Sequence, residues 1–244
     1  MPYTGEMQSV SNKSVVVCMD ATNISNVGMA TILRNTGNEN LIWKWSKNER
    51  NDVYVDCLKD LENLGYFFRG FVIDGRAGLK KKLIELYPHA PIQHCIFHQI
   101  KTVRKYLPRN VQSDGGKILR KIGLKLTKYN AVQFNTALDI WYVLYRDYIN
   151  EKTYSYNENY KRRWWYTHKS LRSAYRSLKT NLPYLFTFEK YKHLNIPKTT
   201  NICEGYFSHL KDRLNRHRGL NTERKFKMAN YLLSINLTNS KKEQ

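Results

Sequence analysis

Residues Ser14–Asp20 read SVVVCMD, an unbroken apolar run closed by an acid. A run without alternation fits a strand buried on both faces, the place of a central strand in a sheet. Gly28–Arg34 (GMATILR) and Leu41–Ser46 (LIWKWS) follow, separated by Asn35–Asn40 (NTGNEN), a turn composition. In the second, Leu41, Trp43 and Trp45 alternate with Ile42, Lys44 and Ser46, which predicts an outer strand with one wetter face. Three strands in quick succession predict an antiparallel meander.

Asn51–Leu64 carries an amphipathic stripe of Val53, Cys57, Leu61 and Leu64 and stops at Gly65, so it reads as a helix. Arg69–Asp74 (RGFVID) is a fourth strand, again closed by an acid. A helix over Leu79–Tyr87, a short strand at Pro91–Cys95 and a helix over Ile96–Tyr106 complete the pattern. The fold class is therefore α/β, a mixed five-stranded sheet flanked by helices. Its element order resembles the ribonuclease H-like arrangement, in which strands one and four are neighbours opening to one rim. From about Pro108 the strand signal stops. Helical patterns at Ile118–Leu126, Val132–Tyr148 and Tyr160–Leu178 predict an all-helical insertion. The expected organisation is a tail (1–13), a first core part (14–110), the insertion (111–196) and a second core part (197–244).

The net charge of +21 is unevenly spread. Residues 1–100 hold 11 Lys/Arg against 10 Asp/Glu, residues 101–200 hold 21 against 6, and residues 201–244 hold 9 against 4. The basic excess follows the predicted strands, and a polyanion such as DNA or RNA is the natural partner. No run of about 18 apolar residues offers a membrane span, and the N-terminus has no apolar signal core. Cysteines at 18, 57, 95 and 203 are widely spaced in apolar or helical contexts, unlike a disulfide framework. A cytoplasmic setting fits.

The stretch Thr199–Leu220, TTNICEGYFSHLKDRLNRHRGL, reads as a helix after Pro197. With Asn201 as its cap, Glu204 becomes the third helical residue. Cys203, Phe207, Leu210 and Leu214 share one face, and Glu204, Ser208, Lys211 and Asn215 the other. Alone, that second face is a solvated surface with a weak ion pair. With Asp20 and Asp74 closing neighbouring strands, Glu204 completes a set of three carboxylates. Carboxylates gathered at one rim repel, and divalent cations remove that penalty. Two Mg²⁺ (or Mn²⁺) ions so held can clamp the attacking and leaving oxygens of a phosphodiester.

The blocks VVVCMDATN, GFVIDGRAGL, QHCIFHQIK and TNICEGYFSHLK resemble the signature segments of DDE transposases, specifically the Mutator-like insertion-sequence group of bacteria and archaea. The resemblance implies that Asp20, Asp74 and Glu204 are catalytic and carry the metal ions. It implies accessory roles for Cys95 and His98, a Cys-x-x-His pair, and for Lys211, seven residues after the acid. Spacing argues against zinc at the cysteines; His98 near the scissile phosphate with Cys95 packing is the expected arrangement. Lys161, Arg162, Arg163, Trp164 and Trp165 (KRRWW) form the densest basic-aromatic segment, suited to phosphate contact and base stacking. Arg213, Arg216 and Arg218 extend the candidate DNA contacts. The implied activity is metal-dependent cleavage and strand transfer during DNA transposition, by a homodimer on element ends and target in a bacterial or archaeal nucleoid. Rival readings are a ribonuclease H-like nuclease or resolvase without strand transfer, and a non-catalytic DNA-binding derivative. Family members carry a DNA-binding region before the first catalytic strand, whereas 13 residues precede Ser14 here. The expectation is a truncated or split copy, the latter with a separate DNA-binding partner protein.

Overall fold

β1 (Ser14–Ile24) is the middle strand of five, in the order β3-β2-β1-β4-β5. The computed structural model describes residues 14–156, 162–217 and 219–235. From Val15 to Met19 no side chain of β1 is more than 7% exposed, as a central strand requires. β2 (Gly28–Asn35) runs antiparallel to β1, β3 (Asn40–Ser46) runs antiparallel to β2, and β4 (Phe67–Ile73) and β5 (Ile92–His94) run parallel to β1. The sheet is thus mixed and five-stranded, as the apolar runs imply.

The end of the first strand lies beyond its expected place. The sequence reading ends the first strand at Asp20, but β1 continues to Ile24, paired with β2 as far as Ile24↔Gly28. Thr22 and Ile24 are buried β-branched residues that favour extended backbone, so the strand outlasts its acid. Pairing with β4 stops earlier, at Cys18↔Val72. Asp20 therefore lies where β1 keeps β2 on one side and has passed the β4 ladder on the other.

α1 (Asn51–Asn63) buries Tyr54, Val55, Cys57, Leu58 and Leu61. α2 (Ala77–Leu86) buries Leu79 and Leu83. The chain divides into two compact units, residues 1–95 with 191–244, and residues 96–190.

The second unit contains α3 (Ile96–Tyr106), α4 (Asp114–Leu124), α5 (Ala131–Asn150), β6 (Lys152–Tyr156), β7 (Arg162–Tyr166), α6 (Lys169–Leu185) and α7 (Thr187–Lys190). Leu119, Phe134, Leu138, Trp141, Ala174 and Leu178 belong to its core. Trp141 satisfies its indole N–H on the Gly115 carbonyl at 2.9 Å, so it is buried without an orphan donor. The all-helical expectation is corrected here. Residues 162–166 are strand, not the start of a helix over Tyr160–Leu178, and they pair antiparallel with β6. Thr, Tyr and Trp dominate both segments and favour extended backbone, so α6 begins only at Lys169.

The chain re-enters the first unit and forms α8 (Asn201–Arg216), packed on β1, and α9 (Thr222–Ser234), packed on α8 and β3. Asn230 of α9 accepts from the indoles of both Trp43 and Trp45 at 2.9 Å. Among the described residues, no helix is long and apolar enough to cross a membrane.

Candidate functional site

Asp20 is 8% exposed, and its Oδ1 accepts the Ala21 N–H at 2.8 Å. Glu204 stands in the first turn of α8, half-buried at the border of the apolar stripe Cys203, Phe207, Leu210 and Leu214. That stripe is buried as the periodicity requires, whereas Ser208, Lys211 and Asn215 are exposed. Carboxylate oxygens of Asp20 and Glu204 approach within 4.8 Å. Two oxygens on one Mg²⁺ at about 2.1 Å stand roughly 3–4 Å apart, so the pair fits a shared hard cation.

Asp74 arrives by register. Cys18 pairs with Val72, and Asp20 and Asp74 each stand two residues further along parallel neighbours. The Asp74 Oδ1 accepts the Arg76 N–H at 3.1 Å, which closes a tight turn over Gly75 at φ +92°. A Cβ at Gly75 would fall 2.0 Å from Cε1 of His94, so the imidazole packs directly on this turn. His94 is 3% exposed at the end of β5. The sequence reading directed attention to Cys95 and His98 and gave His94 no task.

A network that the sequence did not announce stands beside the aspartates. Tyr54 of α1 is 1% exposed and donates to the Glu49 carboxylate at 2.8 Å. Burial pushes its phenol up strongly, and the negative charges of Glu49, Asp20 and Asp74 push the same way. Arg76 joins Glu49 at 2.7 Å and reaches Asn51 at 3.2 Å. Its guanidinium thus ties the turn after Asp74 to the start of α1.

Several contacts seat α8. The Thr200 backbone N–H and hydroxyl both donate to the Cys95 sulfur, at 3.3 and 3.4 Å. Asn201 is therefore the first helical residue, not the cap, and Thr200 spends its hydroxyl on the sulfur instead of capping the helix. The Cys203 thiol points at the Cys18 carbonyl at 3.8 Å. Tyr206 donates to the Leu232 carbonyl at 3.0 Å and accepts from Asn40 at 2.7 Å. The Arg34 guanidinium lies 4.0 Å over its ring. Burial lowers the Arg34 pKa, raises Tyr206 to about 12 and Cys18 to about 12, and lifts Cys203 well above its usual value. All four cysteines are buried and none forms a disulfide.

The remaining expected residues stand on α8, α3 and β7. Lys211, Arg213 and Arg216 are exposed along α8, and Arg216 is ion-paired with Asp212 at 2.8 Å. His98 is half-buried in the first turn of α3. Arg162, Arg163, Trp164 and Trp165 are exposed on β7. Lys161 and Arg218 lie outside the described residues.

Fold and site together define a mixed α/β protein, strongly basic, with acidic side chains delivered to one rim of its sheet. A family model described as Transposase, Mutator family, matches residues 10–225, most of the chain. The chain belongs to the Mutator family of transposases. Comparison with curated proteins finds no match. Membership implies a nuclease or transferase kind of activity on DNA, which in this family generally uses divalent metals.

Proposed function

We propose that this chain is the catalytic domain of a DDE transposase with a ribonuclease H-like core, cutting DNA at element ends and joining them to target DNA. The observation that carries the reading is the meeting of Asp20 and Glu204 within 4.8 Å, with Asp74 just past the end of the strand that runs parallel beside β1. Hard carboxylate oxygens suit Mg²⁺ or Mn²⁺ and not softer metals. Asp20, Asp74 and Glu204 would hold two such ions, which when bound supply Lewis acidity toward phosphate oxygens and a more acidic water.

The chain's own residues do the rest. Asp20 is fixed on the middle strand, Asp74 on a turn braced by His94 and Arg76, and Glu204 on a helix anchored at several points. The site is thereby organised before substrate arrives, which favours in-line displacement. Exposed Lys and Arg hold the DNA backbone. Hydrolysis breaks the bond between phosphorus and the 3′ oxygen and leaves a 3′-hydroxyl. In the second step that hydroxyl bonds to a target phosphorus, and the target's own 3′ oxygen leaves. His98 and Lys211 serve this reading as residues that position the scissile phosphate. Cys95 packs through Thr200. The protein acts as a dimer on element ends and target DNA.

Nicking of supercoiled plasmid in Mg²⁺ tests the assignment. Asp20→Asn, Asp74→Asn and Glu204→Gln each abolish nicking while DNA binding in EDTA persists. Wild-type nicking by Glu204→Gln overturns the triad. Joining of a duplex with a free 3′-hydroxyl into plasmid separates a transposase from a nuclease that only hydrolyses.

A further inference from the structure

Asp74 follows β4, and the chain passes at once through Gly75 and Arg76 into α2. The Arg76 backbone N–H donates to the Asp74 Oδ1 at 3.1 Å, so a guanidinium rooted at that same residue is within reach of the carboxylate. An arginine and a carboxylate so placed ordinarily pair, because the planar fork matches the two oxygens in parallel hydrogen bonds. Here the guanidinium is engaged elsewhere. Its Nη1 meets the Glu49 carboxylate at 2.7 Å, its Nη2 donates to the Glu49 carbonyl at 3.3 Å, and its Nε donates to the Asn51 amide oxygen at 3.2 Å. All three acceptors belong to Glu49 and Asn51, where α1 begins.

The acceptors are themselves held in place. Buried Tyr54 donates to the other Glu49 oxygen at 2.8 Å, so that carboxylate is gripped from both ends. The Asn51 amide lies against α2, where a Cβ at Gly78 would fall 2.4 Å from its nitrogen. Only glycine admits the amide so close. Glu49 and Arg76 keep 25% and 31% of their side-chain exposure, so solvent screens the pair less than a pair on the open surface. Burial first, and then the charges of Glu49, Asp20 and Asp74, raise the Tyr54 phenol, which sets this network close beside both aspartates.

We infer that Glu49, presented by Tyr54, is a positioning residue that holds the Arg76 guanidinium off the Asp74 carboxylate, so that the guanidinium does not compete with a divalent cation there. Guanidinium and metal ion are both cations, and a carboxylate captured by Arg76 would have to release it as the metal binds. Glu49 supplies the opposite charge that keeps this competitor away. It does so without joining the metal site, because its two oxygens are spent on Arg76 and Tyr54. A neutral amide at position 49 could still accept from Tyr54 but would no longer neutralise the guanidinium. The inference rests on the reading of Asp74 as a metal ligand.

Mn²⁺ binding to the full chain, read from the electron paramagnetic resonance signal of free Mn²⁺, tests this without any turnover of DNA. Glu49→Gln weakens binding about tenfold, the low end of what an arginine beside an aspartate does to proton binding at that carboxylate. Tyr54→Phe, which removes only the hydroxyl, weakens it less and in the same direction. Both losses shrink to less than about twofold when introduced into Arg76→Gln, because no guanidinium is left to stray. Arg76→Gln alone binds Mn²⁺ more tightly than Glu49→Gln does. Thermal unfolding in metal-free buffer confirms that each variant is folded, and Tyr54→Phe carries the test should Glu49→Gln not fold. Equal losses from Glu49→Gln in the wild-type and Arg76→Gln backgrounds would mean that Glu49 acts through its own charge, and would overturn the inference. A loss from Arg76→Gln as large as that from Glu49→Gln would mean that the ion pair only braces the turn, and would do the same. Asp74→Asn is the reference. If it binds Mn²⁺ like wild type, the metal-site reading fails and takes this inference with it; if it loses Mn²⁺ while Glu49→Gln does not, the metal site stands and this inference alone falls.

Discussion

Gly75→Ala probes the turn that carries Asp74. Gly75 has φ +92°, where an L residue is strained, and its absent Cβ leaves the space that His94 fills. The backbone term for alanine in left-handed space is about 1–2 kcal/mol. The steric term is larger than a routine contact, because the new methyl would sit 2.0 Å from Cε1, 2.2 Å from Nε2 and 2.8 Å from Nδ1 of His94. Ordinary contact needs about 3.5 Å, so the imidazole or the turn must move by more than an ångström. His94 is 3% exposed and has little free volume to move into. Overpacking of that kind costs about 1–3 kcal/mol, for a total of about 2–5 kcal/mol. In a chain of this size each kcal/mol lowers Tm by roughly 2–4 °C, so Gly75→Ala should melt about 4–20 °C below wild type. Thermal unfolding followed by circular dichroism in metal-free buffer reads it. A double-mutant cycle locates the cause. His94→Ala removes the clash but not the φ strain, so the pair should be less destabilised than the sum of the singles by about 1–3 kcal/mol. A Tm within about 1 °C of wild type, or strict additivity, refutes the packing described.

Other measurements reach different parts of the molecule. Glu204→Gln removes one of two facing charges, so the metal-free variant should melt no lower than wild type, while Mg²⁺ should no longer raise its Tm; a retained Mg²⁺ shift counts against the shared cation. Asn230→Leu leaves the Trp43 and Trp45 indole N–H groups without their acceptor, for a loss of about 2–4 kcal/mol by denaturant unfolding, and Asn230→Asp, which keeps the oxygen, should lose less. Burial raises Cys18 and Cys57 to about 12, so at pH 8 only about one thiol in 10⁴ is thiolate; a thiol reagent should label the native protein negligibly and all four cysteines once it is unfolded. DNA affinity should fall about 100-fold between 50 and 200 mM salt if about four phosphate contacts form; a flat response removes the polyanion argument.

Elements whose burial is one-dimensional were the legible ones. β1 could be read because a strand covered on both faces needs an unbroken apolar run, and α8 because its stripe repeats at helical spacing. The hairpin of β6 and β7 escaped for the same reason. Its exposed face gives Lys-Thr-Tyr-Ser-Tyr and Arg-Arg-Trp-Trp-Tyr no apolar-to-polar alternation, and the long helix after it made the segment look like more helix. The signal present was propensity, Thr, Tyr and Trp in short clusters, which is weaker than pattern. The end of β1 is not legible in the sequence, because an acid after an apolar run reads as a strand end. Asp20 is tolerated inside a strand because the β4 ladder has ended beside it.

Within the site, the legible part was which side chains carry charge, and the illegible part was what holds them still. Glu204 owes its place to contacts with Cys18, Asn40, Cys95 and Leu232, which are scattered along the chain. No spacing rule connects them. Each is also ambiguous in type: a thiol, an amide and two carbonyls read as ordinary core. Their effect is cumulative. Thr200 fixes the start of α8, Cys203 its contact with the strand of Asp20, and Tyr206 its second turn. A helix held at three successive levels cannot roll without breaking one of them, and Glu204 lies between the last two. The carboxylates therefore stand within 4.8 Å because packing elsewhere compels it. If the proposed cation binds there, these contacts set its affinity without touching it.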